Sequence, residues 1–332
     1  MYFNIEQQSS KSHWLSDINT ANFEAFALSV FHYQYEKCLV YNEFVNALGI
    51  RPEEINSLQK IPFLPISFFK SHKVVSGLFD AAVTFESSGT TGMQSSKHFV
   101  KDTALYEDSF MIAFRQFYGE PEDYIFLCLL PSYLERGNSS LVYMADALIR
   151  KSNNADSGFY LNEWQQLADT LQRLKTSDKK IMLLGVTFAL LDFADAFPMD
   201  ISNVIVMETG GMKGRREEWT REQVHSFLKE KWHLQHIHSE YGMTELLSQA
   251  YSKGDGIFEA ASTMQVFVRD ENDPFDIKTS GTGCLNIIDL ANLHSCSFIA
   301  TDDIAKMKPN GSFEVMGRLD HSALRGCSLM VV

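Results

Sequence analysis

The sequence predicts an α/β protein: mainly parallel sheets flanked by helices, with a smaller β-rich part toward the C-terminus. Two observations predict it. Four short apolar runs, "YIFLCLLP" (124–131), "KIMLLGVTF" (180–188), "NVIVMETGG" (203–211) and "LQHIHSEYG" (234–242), are continuous rather than alternating. Runs of that kind suit strands buried on both faces of a parallel sheet. Between the last two lies a covering-helix pattern, in which Trp219, Val224, Phe227, Leu228 and Trp232 form a stripe and charges lie elsewhere.

Ahead of these runs, residues 18–48 repeat Phe23, Phe26, Ala27, Val30, Phe31 and Tyr33 at helical spacing. We read residues 1–60 as a helical N-terminal segment packed on a core that spans 61–332. Pro62 and Pro65 in "IPFLPISFFKSHKV" forbid a regular helix and impose an extended path into that core. After Tyr251 the segments shorten and alternate ("AASTMQVFVRD", "GCLNIIDL", "SCSFIATDDIA", "GSFEVMGRLD"), which predicts an antiparallel subdomain closing one side of a cleft.

With 332 residues, 45% of them hydrophobic, the chain has ample material for a core. Its 29 Lys and Arg against 42 Asp and Glu give a net charge of −13, which disfavours sequence-independent binding to nucleic acid or anionic lipid. Five scattered cysteines, never in a C-x-x-C pair, fit neither a disulfide framework nor a zinc cluster. No apolar h-region or long apolar span is present, so the expectation is a cytoplasmic protein without membrane insertion.

Four polar clusters stand out in order: "ESSGTTG" (86–92), "YGMTE" (241–245), "TDDIA" (301–305) and "GRLD" (317–320). Each alone has a plain reading. Ser and Gly make solvated turns, Tyr241 can be core, Glu245 can favour a helix start, and Asp-rich strand ends make turns. The competing reading of the first is a phosphate-gripping loop, because Gly89 and Gly92 admit close backbone approach and Ser88, Thr90 and Thr91 add donors. No GxxxxGK[ST] is present, so it is not a Walker-type loop. His236 and His238 stand two apart on a strand without a third ligand, which favours a structural or pocket-lining role over metal binding.

Taken together, the four clusters resemble those of the adenylate-forming enzymes, the superfamily of acyl-CoA synthetases, adenylation domains and luciferases. The resemblance implies attack of a carboxylate on the α-phosphate of ATP. It places the triphosphate at Ser87, Ser88, Gly89, Thr90, Thr91 and Gly92, with Lys97 as the accompanying cation at a longer spacing than usual. It implies Tyr241 and Gly210–Gly211 against the adenine, Thr244 on the α-phosphate, Glu245 on Mg²⁺, Asp303 on the ribose hydroxyls, Arg318 on ribose or phosphate, and Asp320 at a hinge.

Only about a dozen residues follow "GRLD", so the superfamily's mobile C-terminal domain is expected to be absent. One branch resembled in that respect is the acyl-protein synthetases of luminescence systems (LuxE-like), through "IPFLPISFFKSHKV", "ESSGTTG", "LLPSYLERGNSSLVYM", "SEYGMTELLSQAY" and "GRLDHSALRGCSLMVV". That resemblance implies a fatty acid activated with ATP and Mg²⁺, a thioester on Cys327, and an acyl-accepting partner such as a reductase or acyl carrier. For Cys327 the competing reading is a small buried hydrophobe in an apolar tail. Arg136, Asn138, Ser139 and Ser140 are placed near the acyl or phosphate pocket. The alternatives are an acyl-CoA or carrier-protein ligase using a separate C-terminal domain, and a nucleotide-binding protein that has lost the chemistry.

Overall fold

The computed structural model describes residues 5–9, 13–87, 95–130, 138–161, 163–210 and 219–319. The N-terminal region forms α1 (Ile5–Ser9), α2 (Phe23–Lys37) and α3 (Leu39–Ala47). The helical pattern of 18–48 is thus two helices, because Cys38 is extended (φ −100°, ψ 101°) and breaks the ladder. Helix α2 buries Phe23, Phe26, Ala27, Val30 and Phe31. It also buries Gln34 completely, and a buried amide needs partners. Those partners are distant in sequence: its Nε2 donates to the carbonyls of Asn292 (2.9 Å) and Leu293 (3.1 Å), and its oxygen accepts from the Ser297 N–H (2.9 Å).

The chain then passes through β1 (Leu64–Pro65) and α4 (Phe68–Ser71) to a hairpin of β2 (Val83–Glu86) and β3 (Lys97–Val100). Pro65 has no N–H to give; Ile66 supplies the bond instead, to the Ala300 carbonyl at 2.9 Å. Helix α5 (Thr103–Tyr118) starts at Asp102, whose carboxylate accepts from the Ala104 N–H (2.9 Å).

A doubly covered parallel array follows: β4 (Tyr124–Leu129), α6 (Ser140–Ser152), β5 (Gly158–Phe159), α7 (Trp164–Arg173), β6 (Lys180–Val186), α8 (Thr187–Ala196), β7 (Val204–Thr209), α9 (Arg221–Trp232) and β8 (His238–Tyr241). All six residues of β4 are buried, as its unbroken apolar run requires. Helix α9 opens with a capping box between Thr220 and Gln223 and ends on a fully buried Trp232, whose indole N–H donates to the Phe197 carbonyl (3.2 Å).

The remaining strands are β9 (Ala250–Ser252), β10 (Ile257–Ala260), β11 (Met264–Arg269), β12 (Ile277–Lys278), β13 (Gly281–Asp289), β14 (Phe298–Met307) and β15 (Phe313–Arg318). They pair antiparallel, yet they are not a detached subdomain. Among the described residues the order β12-β11-β13-β14-β15-β10-β9-β8-β7-β6-β4-β5 makes one sheet, with β1 parallel to β14 on the side. Strand β9 joins the halves, antiparallel to both β8 and β10. The β2–β3 hairpin stands apart as a two-stranded sheet. No described helix is long and apolar enough to cross a membrane.

Candidate functional site

The C-terminal ends of β7 and β8 point to one place, where open α/β sheets take ligands. Strand β7 ends at Thr209, and Gly210 turns the chain away with a positive φ of 70°, a conformation that glycine adopts without penalty. Its neighbour Gly211 lies outside the described residues.

Strand β8 ends at Tyr241, with its ring edge-on to Phe258 (6.0 Å) and Phe313 (5.8 Å). The buried phenol donates to Asp303 Oδ2 at 2.7 Å. The other oxygen of Asp303 accepts from Arg318 Nε at 2.8 Å, because the β14–β15 register sets Asp303 opposite Arg318. Three separate sequence clusters therefore meet in one line of hydrogen bonds. Burial, with the Asp303 charge adding to it, pushes the Tyr241 phenol well above its usual range, so it stays a donor. The Asp303 carboxylate in turn raises Arg318 and keeps it cationic, while the Arg318 side chain is 74% exposed.

The turn after Tyr241 is pinned from three sides. His98 Nδ1 lies 2.9 Å from the Thr244 carbonyl, and Asn292 Nδ2 donates to the Glu245 carbonyl at 2.8 Å. Asp289 accepts from the N–H groups of Leu247 (2.7 Å) and Ser248 (2.9 Å) and from the Ser248 hydroxyl (2.6 Å). Thr244 keeps a half-buried side chain. The Glu245 carboxyl is buried; desolvation raises its pKa, opposed by a bond from the Ser96 hydroxyl and by the charges of Arg318 and Lys70.

Ser96 also belongs to the neck of the first cluster. Its N–H donates to Ser87 Oγ (2.8 Å), and the Ser87 N–H returns to the Ser96 carbonyl (3.0 Å). Ser88, Gly89, Thr90, Thr91 and Gly92 lie outside the described residues; the Ser96 end of the neck meets the Glu245 carboxyl. Lys97 does not join this cluster. Strand alternation turns it away from buried Ser96 and His98, and its ammonium pairs with Glu86 at 3.4 Å on an exposed face. Asn138 and Ser140 are nearby scaffold: their carbonyls accept from the Glu86 N–H (2.9 Å) and the Tyr106 hydroxyl (3.0 Å), and Ser139 caps α6. Arg136, Asp320 and Cys327 lie outside the described residues.

Two carboxylates were not singled out from the sequence, although both close apolar runs ("METGG", "SEYGM"). Glu208 and Glu240 lie one residue before the ends of adjacent parallel strands and are both buried. Burial alone would raise Glu208; bonds from Thr187 and Ser239 (2.8 Å each), with His225 and the Arg221 charge beside it, outweigh that and lower its pKa. His225 Nε2, at 3.6 Å, is an electrostatic neighbour rather than a hydrogen-bond donor. Glu240 accepts from the Thr209 hydroxyl, and burial together with the Glu208 charge pushes it up to about 7. A Cβ on Gly242 would meet the Glu240 Oε1 oxygen, so a larger residue there would have to displace that carboxyl.

The two histidines do not form a pair on one strand face. His236 precedes β8 and is exposed, while His238 contacts the Tyr118 hydroxyl at 3.1 Å and is held at about 4 by burial and by the charges of His236 and Lys253. Among the described residues no group of three or more His, Cys, Asp or Glu could hold a metal. The described cysteines, Cys38, Cys128, Cys284 and Cys296, are all buried.

A family profile described as "Acyl-protein synthetase, LuxE" matches residues 7–332. Among solved structures, ATP-bound MatB from Rhodopseudomonas palustris is similar at 15% identity and a TM-score of 0.56, over 73% of this chain and 49% of that one. An open conformation of 2-hydroxyisobutyryl-CoA ligase, in complex with 2-HIB-AMP and CoA, is similar at 11% identity and a TM-score of 0.65, over 94% and 74%. The chain spans about half the length of the MatB structures. At such identities the likeness is one of fold, the α/β architecture of adenylate-forming ligases. The search of curated proteins gives no match.

Proposed function

This chain belongs to the LuxE acyl-protein synthetase family, and from that premise we propose that it activates a carboxylic acid with ATP and passes the acyl group to a thiol. In the first step a carboxylate oxygen of the acid bonds to the α-phosphorus, the bond from that phosphorus to the bridging oxygen breaks, and pyrophosphate leaves with the electron pair. In the second a thiolate sulfur bonds to the acyl carbon and AMP leaves. The observation that carries this reading is the convergence of the Ser87–Ser96 neck, Thr244–Glu245, Asp303 and Arg318 on the turn after β8.

In this reading Tyr241 and Gly210–Gly211 border the base. Asp303, a four-lone-pair acceptor already oriented by Tyr241 and Arg318, takes the ribose hydroxyls. Exposed, cationic Arg318 faces the phosphate charge, and Thr244 offers its hydroxyl to a phosphate oxygen. Glu245 is the hard ligand present for Mg²⁺, which fits an ion that takes its remaining ligands from phosphate and water. Held by Glu245, Mg²⁺ would supply positive charge against the leaving pyrophosphate. Burial keeps the Glu245 carboxyl poorly hydrated, so ionising it favours a cation close by.

Cys327 is the proposed acyl carrier. The other four cysteines are buried and their thiols pushed up by burial, which makes them poor nucleophiles. A fatty acid as substrate, a reductase or acyl carrier as acceptor, and a cytoplasmic setting complete the proposal by family resemblance.

Pyrophosphate exchange into ATP, run over a panel of acids, tests the first step; no exchange with any acid sinks it. For the second, a labelled acid should leave a hydroxylamine-sensitive adduct on the wild type and none on Cys327→Ala, with exchange retained in both. An adduct that persists in Cys327→Ala, or label that appears only on added coenzyme A, removes Cys327 from the path. Glu245→Gln should lower exchange by about 10- to 100-fold and raise the Mg²⁺ concentration needed, with melting unchanged; unchanged Mg²⁺ dependence takes Glu245 out of the metal's reach.

A further inference from the structure

The β2–β3 hairpin makes no ladder to the main sheet; its β2 side is held by buried Phe85, packed edge-on against Tyr106 at 5.4 Å, and by the Glu86 N–H on the Asn138 carbonyl, which leaves its β3 side to side-chain contacts. Yet it must present its Ser87–Ser96 neck at one position over Glu245. We propose that His98 is the positioning residue that locks this hairpin to the Thr244–Glu245 turn and so sets the geometry in which Mg-ATP is held. The inference rests on the adenylation reading above for its substrate, and on the side-chain contacts for its mechanics.

His98 is 1% exposed and is bonded at both ring nitrogens: Nδ1 at 2.9 Å from the Thr244 carbonyl, Nε2 at 2.9 Å from Ser295 Oγ. A carbonyl can only accept, so Nδ1 carries the hydrogen, Nε2 is the acceptor, and Ser295 donates. The ring thus bridges residues 146 and 197 positions away in one tautomer. Phe69 packs edge-on against it at 5.7 Å, and burial holds it at about 4, so it stays neutral through the physiological range. Two positions earlier on the same face of the chain, Ser96 meets the Glu245 carboxyl. The far end of the bridge is tied as well: the Ser295 N–H donates to the Asn292 carbonyl (3.0 Å), and Asn292 holds the Glu245 carbonyl. Both carbonyls of the Thr244–Glu245 pair are therefore fixed by side chains that His98 connects.

The test separates this role from plain packing. Asn places its amide nitrogen where Nδ1 stands, and Gln places its own where Nε2 stands. Pyrophosphate exchange gives the KM for ATP and for the acid, and hydrogen exchange reads the 243–248 segment. His98→Ala should raise the KM for ATP about tenfold, the loss of one buried hydrogen bond, leave the KM for the acid unchanged, and lose protection at 243–248 beyond any global loss. His98→Asn should restore the KM for ATP; His98→Gln should recover melting temperature and not that KM. Wild-type KM and protection in His98→Ala, or equal rescue by Asn and Gln, overturns the proposal. If the alanine variant does not fold, the Asn and Gln pair decides alone. If the wild type exchanges no pyrophosphate, the adenylation reading falls, and the 243–248 protection pattern still decides whether His98 locks the turn.

Discussion

Asp303→Ala is expected to lower ATP-dependent pyrophosphate exchange by about 10³-fold, at the upper end of what loss of one preorganised polar group does to catalysis. The expectation follows from two contacts made by one carboxylate. Removing it strands the Tyr241 phenol, which is buried and has Asp303 as its acceptor, at a cost of about 1–3 kcal/mol. It also releases Arg318 from the bond that aims an otherwise exposed side chain. Asp303→Asn distinguishes the two roles. The amide oxygen can still accept from Tyr241, so melting should recover most of its loss, whereas the amide nitrogen repels Arg318 and cannot take a second hydroxyl pair. Exchange should therefore stay low while the fold is restored. An asparagine variant with wild-type exchange would show that Asp303 serves the fold and not the nucleotide.

Glu240→Gln should change how stability depends on pH. Glu240 titrates at an ordinary 4.5 when unfolded and is pushed up to about 7 in the fold by burial, then by the Glu208 charge. Between those values the folded chain binds the extra proton, so this carboxyl makes the protein lose stability as pH rises through the window, by about 3 kcal/mol at its alkaline end. A glutamine keeps the acceptor for Thr209 and has no charge to bury. The variant should be more stable than wild type by about 2–3 kcal/mol at pH 8 and equal to it near pH 4. His98, His238 and His294, held at about 4 by burial, act in the opposite sense and remove stability as pH falls from 6.5. Their slope remains in the variant, so between about pH 4.5 and 6.5 its denaturant midpoint should climb more steeply with pH than that of the wild type. A wild-type profile in Glu240→Gln would mean that Glu240 titrates alike in the folded and unfolded chain.

The parallel half of the sheet was legible because burial on both faces leaves runs such as 124–129 without a polar residue. The four clusters were legible through glycine and polar residues gathered in each, and through their order along the chain, which resembles that of a known superfamily. The break at Cys38 was not, since neither glycine nor proline marks it and the flanking residues all tolerate a helix. Nor was the continuity of the two sheet halves, which depends on a three-residue strand, β9, too short to carry a pattern. His98, Asp289 and Asn292 were invisible for a different reason: each acts through partners about 40 to 200 positions away, and periodicity records which face a residue is on, not whom it meets. Lys97 shows the converse, a residue of the right type whose strand phase turns it outward.

Gln34 gives the N-terminal helices a standing that their position in the chain conceals. Its amide holds the carbonyls of Asn292 and Leu293 and the N–H of Ser297, the same short stretch that fastens Glu245 and His98. Grafting that helical region from one relative to another would therefore transplant half of a joint. The 292–297 stretch would have to travel with it, and exchanges that respect only the chain's linear order should yield folded proteins whose nucleotide chemistry has drifted.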